Sequence, residues 1–211
     1  MTQRLLLLIL LALLSHRAPA QFILNGGFED STVITNDTVP THWSVDPLGG
    51  TFTSDAHSGD VAMQIWNWYF YGRGWLVYGD AQTPWDADGL PISITPDKLN
   101  GWYKYDYGFN QGAPDSAVCE IYVYSHQNFT GARDTIGRAR YLLGPAAQYT
   151  AFEVPIEYSS PGIQADSIVV KFTSSINGFC ANASDGTCLY LTVDDIEVST
   201  MTGLHQTLAP E

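Results

Sequence analysis

Basic residues are scarce in this sequence. Nine Lys and Arg residues stand against 22 Asp and Glu residues, which gives a formal net charge of −13 at pH 7. A surface this acidic repels phosphate backbones and anionic lipid headgroups. The composition therefore predicts that nucleic acid is not a partner, and it favours neutral ligands or cations.

Cysteine is also scarce, with three residues in the chain. They form neither a Cys-x-x-Cys pair nor a His/Cys cluster with the spacing of zinc ligands. Cys180 and Cys188 bracket a short polar loop, which predicts a disulfide between them in an oxidising compartment. Cys119 lies between Val118 and Glu120 in an alternating segment, and this predicts a buried small apolar side chain.

Long hydrophobic runs are missing after the first twenty residues. Arg4 precedes an apolar run over residues 5–14, and Ala18-Pro19-Ala20 then provides small residues where a signal peptidase cleaves. These features predict a signal peptide over residues 1–20, with secretion to the extracellular space or the cell surface. Ten helical residues span about 15 Å, roughly half of the hydrocarbon core of a bilayer, so no membrane insertion is predicted.

Helical periodicity is missing as well. Apolar residues alternate in short runs that are separated by Gly, Pro, Asn, Asp and Ser, which is typical of half-buried strands. The predicted strands include residues 22–24, 61–68, 99–107, 118–124, 150–156, 167–173 and 189–198. Many short strands without helical spacers predict an all-β fold, an antiparallel two-sheet jelly-roll β-sandwich over residues 21–199. A tail or linker is predicted over residues 200–211.

Aromatic side chains are abundant, and many of them lie between Trp66 and Trp85. A two-residue period buries only one face of a strand, so Trp66 and Trp68 cannot share a core with Met63 and Ile65. These two tryptophans must therefore be exposed or packed beneath a loop.

Exposed aromatic surface predicts a ligand platform, because exposed apolar area costs roughly 25 cal/mol per Å². Sugar rings have apolar C–H faces that can lie against the planes of Trp and Tyr. The residues predicted to form the platform, with the arginine as a hydrogen-bond donor, are Trp68, Tyr69, Tyr71, Arg73, Trp75 and Trp85. The alternative, that these aromatics fill the edge of the sandwich, stays open. Trp43 and Trp102 are predicted to lie in the core.

Four motifs together resemble those of a known superfamily. They are Asn25-Gly26-Gly27-Phe28-Glu29, Pro40-Thr41-His42-Trp43, a turn with His57-Ser58-Gly59, and a closing strand with Val193-Asp194-Asp195-Ile196. Their order is similar to that of the galactose-binding-like jelly-roll superfamily, which includes secreted carbohydrate-binding modules. Residues 99–105, 149–158 and 165–175 resemble, more narrowly, the carbohydrate metabolism domain of secreted Bacteroidetes-type proteins.

The resemblance implies a function and a metal site. The function is the binding of a polysaccharide or oligosaccharide. The metal is a structural calcium ion close to the first and last strands, with Glu29, Asp194 and Asp195 as its ligands, because Ca²⁺ binds carboxylate oxygens. The alternative is that these are ordinary surface carboxylates, or that an Asp accepts hydrogen bonds from loop amides.

Catalytic motifs are missing. Glycoside hydrolysis requires two carboxylates at a defined separation, and no spacing in the sequence supports such a pair. No Gly-x-Ser-x-Gly motif surrounds Ser58. The sequence therefore favours a secreted, non-catalytic glycan-binding module. The alternatives are a structural or adhesive sandwich that contacts other proteins at the cell surface, and a glycoside hydrolase.

Overall fold

A computed structural model describes residues 23–34, 37–68, 72–106, 115–126, 133–178 and 187–200, without the side chains of Ile34, Thr187 and Cys188. The predicted signal peptide lies outside these residues, and so does the predicted tail apart from Thr200. No helix among the described residues is long and apolar enough to cross a membrane.

The described residues form fourteen strands. In chain order they are β1 (Ser31–Ile34), β2 (Asp37–Pro40), β3 (Trp43–Val45), β4 (Gly50–Thr53), β5 (Ala62–Trp68), β6 (Trp75–Tyr78), β7 (Leu90–Pro91), β8 (Lys98–Asp106), β9 (Ala117–Ser125), β10 (Asp134–Leu143), β11 (Ala146–Pro155), β12 (Glu157–Tyr158), β13 (Ser167–Thr173) and β14 (Thr187–Ser199).

The strands form two large sheets and one hairpin. The seven-stranded sheet has the order β12-β10-β9-β13-β6-β3, and β7 also pairs with β13. The five-stranded sheet has the order β11-β8-β14-β5-β4, and β1 pairs with β2 in the separate hairpin. Every pairing is antiparallel. The prediction of an antiparallel two-sheet jelly-roll sandwich is confirmed.

One hydrophobic core lies between the two sheets. It receives Leu99, Tyr103 and Tyr105 from β8 of one sheet, and Cys119 and Ile121 from β9 of the other. Alternate residues of each strand point to opposite faces, so one row of each sheet packs inward and the next row faces outward. The predicted burial of Cys119 is confirmed, since its side chain is 1% exposed.

The beginning and the end of the sandwich lie side by side. The amide of Ile196 donates a hydrogen bond of 2.9 Å to the carbonyl oxygen of Gly26. A side chain at Gly26 would overlap the Ile196 carbonyl, so this close approach requires glycine. The prediction of a strand over residues 22–24 is wrong for Ile23 and Leu24, which lie in a bend and a turn, and Phe22 lies outside the described residues. Ile23 is nevertheless fully buried in the core.

A β-bulge interrupts β14 in its central position between β5 and β8. The register shifts between Asp194 and Glu197, and Asp195 adopts a left-handed φ of 50°. The extra residue keeps Ile196 in the core after Val193, although three positions separate them. The bulge therefore explains the Asp-Asp pair within an otherwise alternating strand.

Candidate functional site

The outward face of the seven-stranded sheet carries a row of polar and aromatic side chains. On β9, Ile121 and Val123 point into the core, whereas Glu120, Tyr122 and Tyr124 are half-buried on the opposite face. This arrangement follows from the two-residue period of the strand.

The strand register places cations on both sides of this row. Lys171 of β13 lies opposite Glu120, and Arg140 of β10 lies opposite Glu120 on its other side. Arg138 lies opposite Tyr122. The outward face therefore brings together side chains that are more than thirty residues apart in the sequence.

Trp85 projects over this face from the segment between β6 and β7. Its side chain is 75% exposed, and the Nζ atom of Lys171 lies 4.4 Å from the ring centroid. The same ammonium lies 5.8 Å from the ring of Tyr122. An ammonium group above an aromatic ring is attracted to its π electrons. Lys171 thus holds Trp85 in place while most of the ring stays accessible.

Lys171 is itself anchored by an ion pair. Its side chain is 5% exposed, and its Nζ atom lies 2.7 Å from Oε2 of Glu120. The other carboxylate oxygen accepts a hydrogen bond of 3.3 Å from the hydroxyl of Tyr122. Burial raises the pKa of Tyr122, and the negative charge of Glu120 raises it further. The tyrosine therefore acts as a neutral hydrogen-bond donor.

A second cation fixes the segment that carries Trp85. Nη1 of Arg133 donates hydrogen bonds to the carbonyl oxygens of Ala87, at 3.2 Å, and Asp88, at 2.9 Å. The guanidinium also lies 4.1 Å from the ring centroid of Tyr124. The rings of Tyr122 and Tyr124 are nearly parallel, with centroids 6.4 Å apart. Arg133 therefore joins this segment to the tyrosine pair.

We call Trp85, Tyr122, Tyr124, Lys171 and Glu120 the aromatic cluster. These residues line a shallow depression with a volume of about 190 Å³. A second depression of about 510 Å³ shares Glu120 and Tyr122 with the first and extends to Arg138 and Arg140. The two depressions meet at Glu120 and Tyr122, and we call them together the groove. Such a groove offers both flat apolar rings and hydrogen-bonding groups.

The structure does not place the predicted platform residues on one surface. Trp85 is exposed in the aromatic cluster, but Trp75 is 9% exposed and packs against Val77 and Val169 on the same sheet. Trp68 lies on the outward side of β5, in the five-stranded sheet.

The other predicted platform residues lie apart from the aromatic cluster or outside the described residues. The indole nitrogen of Trp68 donates a hydrogen bond to Asp46. Arg73 is exposed and lies close to Gly178. Tyr69 and Tyr71 lie outside the described residues. The predicted platform residues are separated because Trp68 ends β5 of the five-stranded sheet, whereas Trp75 begins β6 of the seven-stranded sheet.

Sequence reasoning missed the partners of Trp85. Alternation within residues 118–124 places Glu120, Tyr122 and Tyr124 on one face, and this signal was available. The position of Lys171 beside Glu120 depends on the pairing of β13 with β9, which a single sequence does not reveal. The predicted strands were thus sufficient to place Glu120, Tyr122 and Tyr124 on one face, but not to show which side chains of the adjacent strands lie beside them.

The outward face of the five-stranded sheet holds a different depression, of about 590 Å³, lined by Gln64, Lys104 and Thr192 among others. The prediction that Trp102 lies in the core is wrong. It points outward on β8 with Lys104, and the ring of His57 stacks on it at a centroid distance of 3.9 Å. Because His57 covers this indole and Lys104 is paired with Asp55 at 2.5 Å, this face is less suited to stacking a ligand.

The carboxylates predicted to bind calcium surround the turn over residues 56–61. Asp194 is fully buried and accepts hydrogen bonds from the amides of His57, Ser58 and Asp195, at 2.7, 3.1 and 2.8 Å. Burial raises the pKa of Asp194, and the three amide hydrogen bonds oppose this shift.

The two other predicted ligands hold the same turn. Asp195 lies 2.6 Å from Nδ1 of His57 and 2.7 Å from the hydroxyl of Ser58. Glu29 accepts hydrogen bonds from the amides of Asp60 and Val61. The three carboxylates therefore join the closing strand and the first turn to residues 56–61.

In this arrangement both oxygens of Asp194 and of Asp195, and Oε1 of Glu29, are engaged in hydrogen bonds. Among the described residues no group of three His, Cys, Asp or Glu side chains is placed to hold an ion. We therefore expect equal melting temperatures in EDTA and in Ca²⁺, as measured by circular dichroism. A higher melting temperature in Ca²⁺ would instead support the calcium site, which stays a prediction of the resemblance.

The predicted disulfide stays untested. Cys180 lies outside the described residues, and the side chain of Cys188 is not described. Cys119, the third cysteine, is a free buried thiol, and burial raises its pKa well above the ordinary value.

The fold is similar to that of several solved structures. A candidate glycoside hydrolase from Bacteroides thetaiotaomicron VPI-5482 is 16% identical, with a TM-score of 0.57 over 87% of this chain and 71% of that chain. Another, from Bacteroides vulgatus ATCC 8482, is 14% identical, with a TM-score of 0.53 over 80% of this chain and 89% of that chain. TmCBM61, solved in complex with β-1,4-galactotriose, is 10% identical, with a TM-score of 0.44 over 85% and 98%.

The likenesses to the two Bacteroides proteins, with TM-scores above 0.5, support the class of fold and do not indicate the chemistry of the site. No protein-family model and no curated protein sequence matches the chain. At identities this low, a shared fold does not carry a shared function. The function has to be argued from the aromatic cluster itself.

Proposed function

We propose that this chain is a secreted, non-catalytic glycan-binding domain and that its ligand binds to the aromatic cluster. The observation that carries the proposal is the exposed ring of Trp85. Lys171 contacts this ring, and Arg133 holds the segment that carries it by hydrogen bonds to nearby carbonyl oxygens. A large apolar ring that is both accessible and immobilised is suited to stacking, because little conformational entropy is lost when a ligand binds.

The cluster also provides the polar groups that a sugar requires. The half-buried carboxylate of Glu120 and the hydroxyl oxygen of Tyr122 can accept hydrogen bonds from sugar hydroxyls. These groups lie next to the Trp85 ring, so the hydroxyls of a sugar stacked on the indole would meet them. A flat apolar surface bordered by a few fixed polar groups is typical of small-ligand sites.

The same contacts argue against a hydrolase. Glycoside hydrolysis needs a protonated carboxylic acid and a second carboxylate that acts as a base or nucleophile. Both oxygens of Glu120 are engaged, one by Lys171 and the other by Tyr122. Glu120 is therefore a positioned acceptor for a ligand and not a free proton donor.

Replacing Trp85 by alanine tests this proposal. We expect the retardation of the protein in gels that contain a bound polysaccharide to weaken at least ten-fold, because the stacking plane is lost. A ten-fold loss corresponds to about 1.4 kcal/mol. Affinity electrophoresis against a panel of soluble xylans, galactans and glucans measures the change.

The matched control is Leu142→Ala, which removes another exposed apolar side chain, 46% accessible, from the same sheet. It should leave the retardation unchanged. Both variants should melt within a few degrees of the wild type, because exposed substitutions alter stability little. Equal mobility of the wild type and Trp85→Ala in every retarding gel would refute the site. A lack of retardation in all gels would favour the structural or adhesive alternative.

A further inference from the structure

The few cations of this chain are concentrated on one face. Seven Lys and Arg residues follow residue 20, and all seven are among the described residues. Four of them border the groove or lie within it: Arg133, Arg138, Arg140 and Lys171. In a chain with 22 acidic residues, these four cations outnumber the two carboxylates that line the groove, Glu120 and Glu157.

The remaining cations are neutralised or lie elsewhere. Lys98 pairs with Glu153 at 2.5 Å on the five-stranded sheet. Lys104 pairs with Asp55 on the same sheet. The charges of Lys98 and Lys104 are therefore balanced by nearby carboxylates.

The groove has more cations than carboxylates to pair with them. Glu120 faces two cations, Lys171 at 2.7 Å and the Nε atom of Arg140 at 3.7 Å. The shorter contact takes up the carboxylate, and the side chain of Arg140 remains 54% exposed. Arg138 is exposed and lies opposite Glu157 in the pairing of β10 with β12, and this carboxylate also lines the groove, but among the described residues no carboxylate forms an ion pair with Arg138. We call Arg138 and Arg140 the arginine rim.

The arginine rim lies within reach of a ligand stacked on Trp85. Arg138 and Arg140 alternate on β10 with Ala139, which packs against the core, so both guanidinium groups point outward. Neighbouring strands are about 4.8 Å apart, and β10 is therefore about 10 Å from β13 across the tyrosine row. A chain of sugars lying across the strands would meet the aromatic rings first and the guanidinium groups next.

We propose that the groove selects glycans that carry anionic groups, with the arginine rim binding a carboxylate or a sulfate ester of the ligand. The inference rests on the proposed glycan-binding function. The planar guanidinium group binds oxyanions through two parallel hydrogen bonds. Two such groups on alternate residues of β10 lie side by side where a glycan across the strands passes over this strand, so both can contact an anionic group at that point.

The net charge of the protein does not prevent this binding. At physiological ionic strength the Debye length is about 8 Å, so exposed carboxylates on distant faces are screened at the point of contact. The cations that touch the ligand determine its affinity. The remote acidic surface instead lowers the rate of encounter with polyanions in general, which disfavours long-range capture of nucleic acid.

Matched pairs of neutral and acidic glycans test this inference. One pair is polygalacturonate and its fully methyl-esterified form, and the other is a sulfated galactan and its desulfated form. We expect the wild type to bind the acidic member of at least one pair ten-fold or more tightly, as measured by biolayer interferometry on immobilised glycan. The pair that shows the preference identifies the anionic group as a carboxylate or a sulfate.

The variant Arg138→Gln/Arg140→Gln should remove this preference and reduce binding of the acidic glycan by at least ten-fold. The control Lys98→Gln/Lys104→Gln changes the net charge equally but should retain the preference. Added salt should weaken the binding of the wild type to the acidic glycan of each pair, and it should have little effect on binding to the neutral glycan. The inference is overturned if both members of each pair bind equally, if the arginine variant keeps the preference, or if single-stranded DNA binds as tightly as the acidic glycan.

The outcome also separates this inference from the proposed function. Retention of neutral glycans that depends on Trp85, without any preference for an acidic member, would refute the anion selectivity alone. A lack of binding to every glycan, neutral or acidic, would refute both.

Discussion

Replacing Asp194 by alanine should lower the free energy of unfolding by about 3 kcal/mol, because three backbone amides lose the buried, charged acceptor that they share. Those amides belong to His57, Ser58 and Asp195, so the change detaches residues 56–61 from the bulge of β14. For a domain of this size the loss corresponds to roughly 6–12 °C in Tm. Chemical denaturation, followed by intrinsic fluorescence, measures it directly.

Two comparisons isolate the cause of that loss. Asp194→Asn keeps one carbonyl oxygen as an acceptor and should cost about half as much as the alanine substitution. Asp60→Asn changes an exposed carboxylate of the same turn and should change the stability by less than about 0.5 kcal/mol. If Asp194→Ala were no more destabilising than Asp60→Asn, the amides would not depend on this carboxylate.

Replacing Lys171 by methionine should also destabilise the protein, by about 3 kcal/mol. Removal of one partner from a buried ion pair leaves the other charge without compensation, which costs about 3–5 kcal/mol. The lower end of this range is expected because the guanidinium of Arg140 remains close to Glu120 and partly compensates its charge. The same variant should weaken glycan retention, since Lys171 no longer supports the ring of Trp85.

The double variant Lys171→Met/Glu120→Gln separates the lost ion pair from lost packing. It should recover much of the stability, because the unpaired carboxylate is gone. Together with the single variant Glu120→Gln it completes a double-mutant cycle that gives the coupling energy. Lys98→Met is the matched control at an exposed pair with Glu153 and should cost less than about 1 kcal/mol. Equal costs for Lys171→Met and Lys98→Met would show that the groove pair contributes no more than an exposed one.

The fold could be predicted from the sequence because the alternation of side chains is a local property. The predicted strand over residues 99–107 overlaps β8, and the inward row of Leu99, Tyr103 and Tyr105 is the one that the pattern indicates. The same pattern places Trp102 with Lys104 on the outward face, and its large apolar side chain was the only reason to expect it in the core. For this residue the period was a better guide than hydrophobicity.

The candidate site could be predicted only in part because it depends on strand register. The stretch from Trp66 to Trp75 looks continuous in the sequence, but it leaves β5 of one sheet and enters β6 of the other. Adjacent aromatic residues are thereby separated onto two outer surfaces. Trp85 meets Lys171 across more than eighty residues of chain, and such long-range pairings follow from the packing of sheets rather than from local pattern.

The central place of β14 has a consequence for how the protein acquires its structure. This strand pairs with β5 and β8, so the two halves of the five-stranded sheet are not joined by strand pairing until β14 is inserted between them. It is also the last of the described strands to be synthesised. A nascent chain that ends before residue 187 therefore exposes two unpaired strand edges and an open core, and completion of the domain must wait for its closing segment.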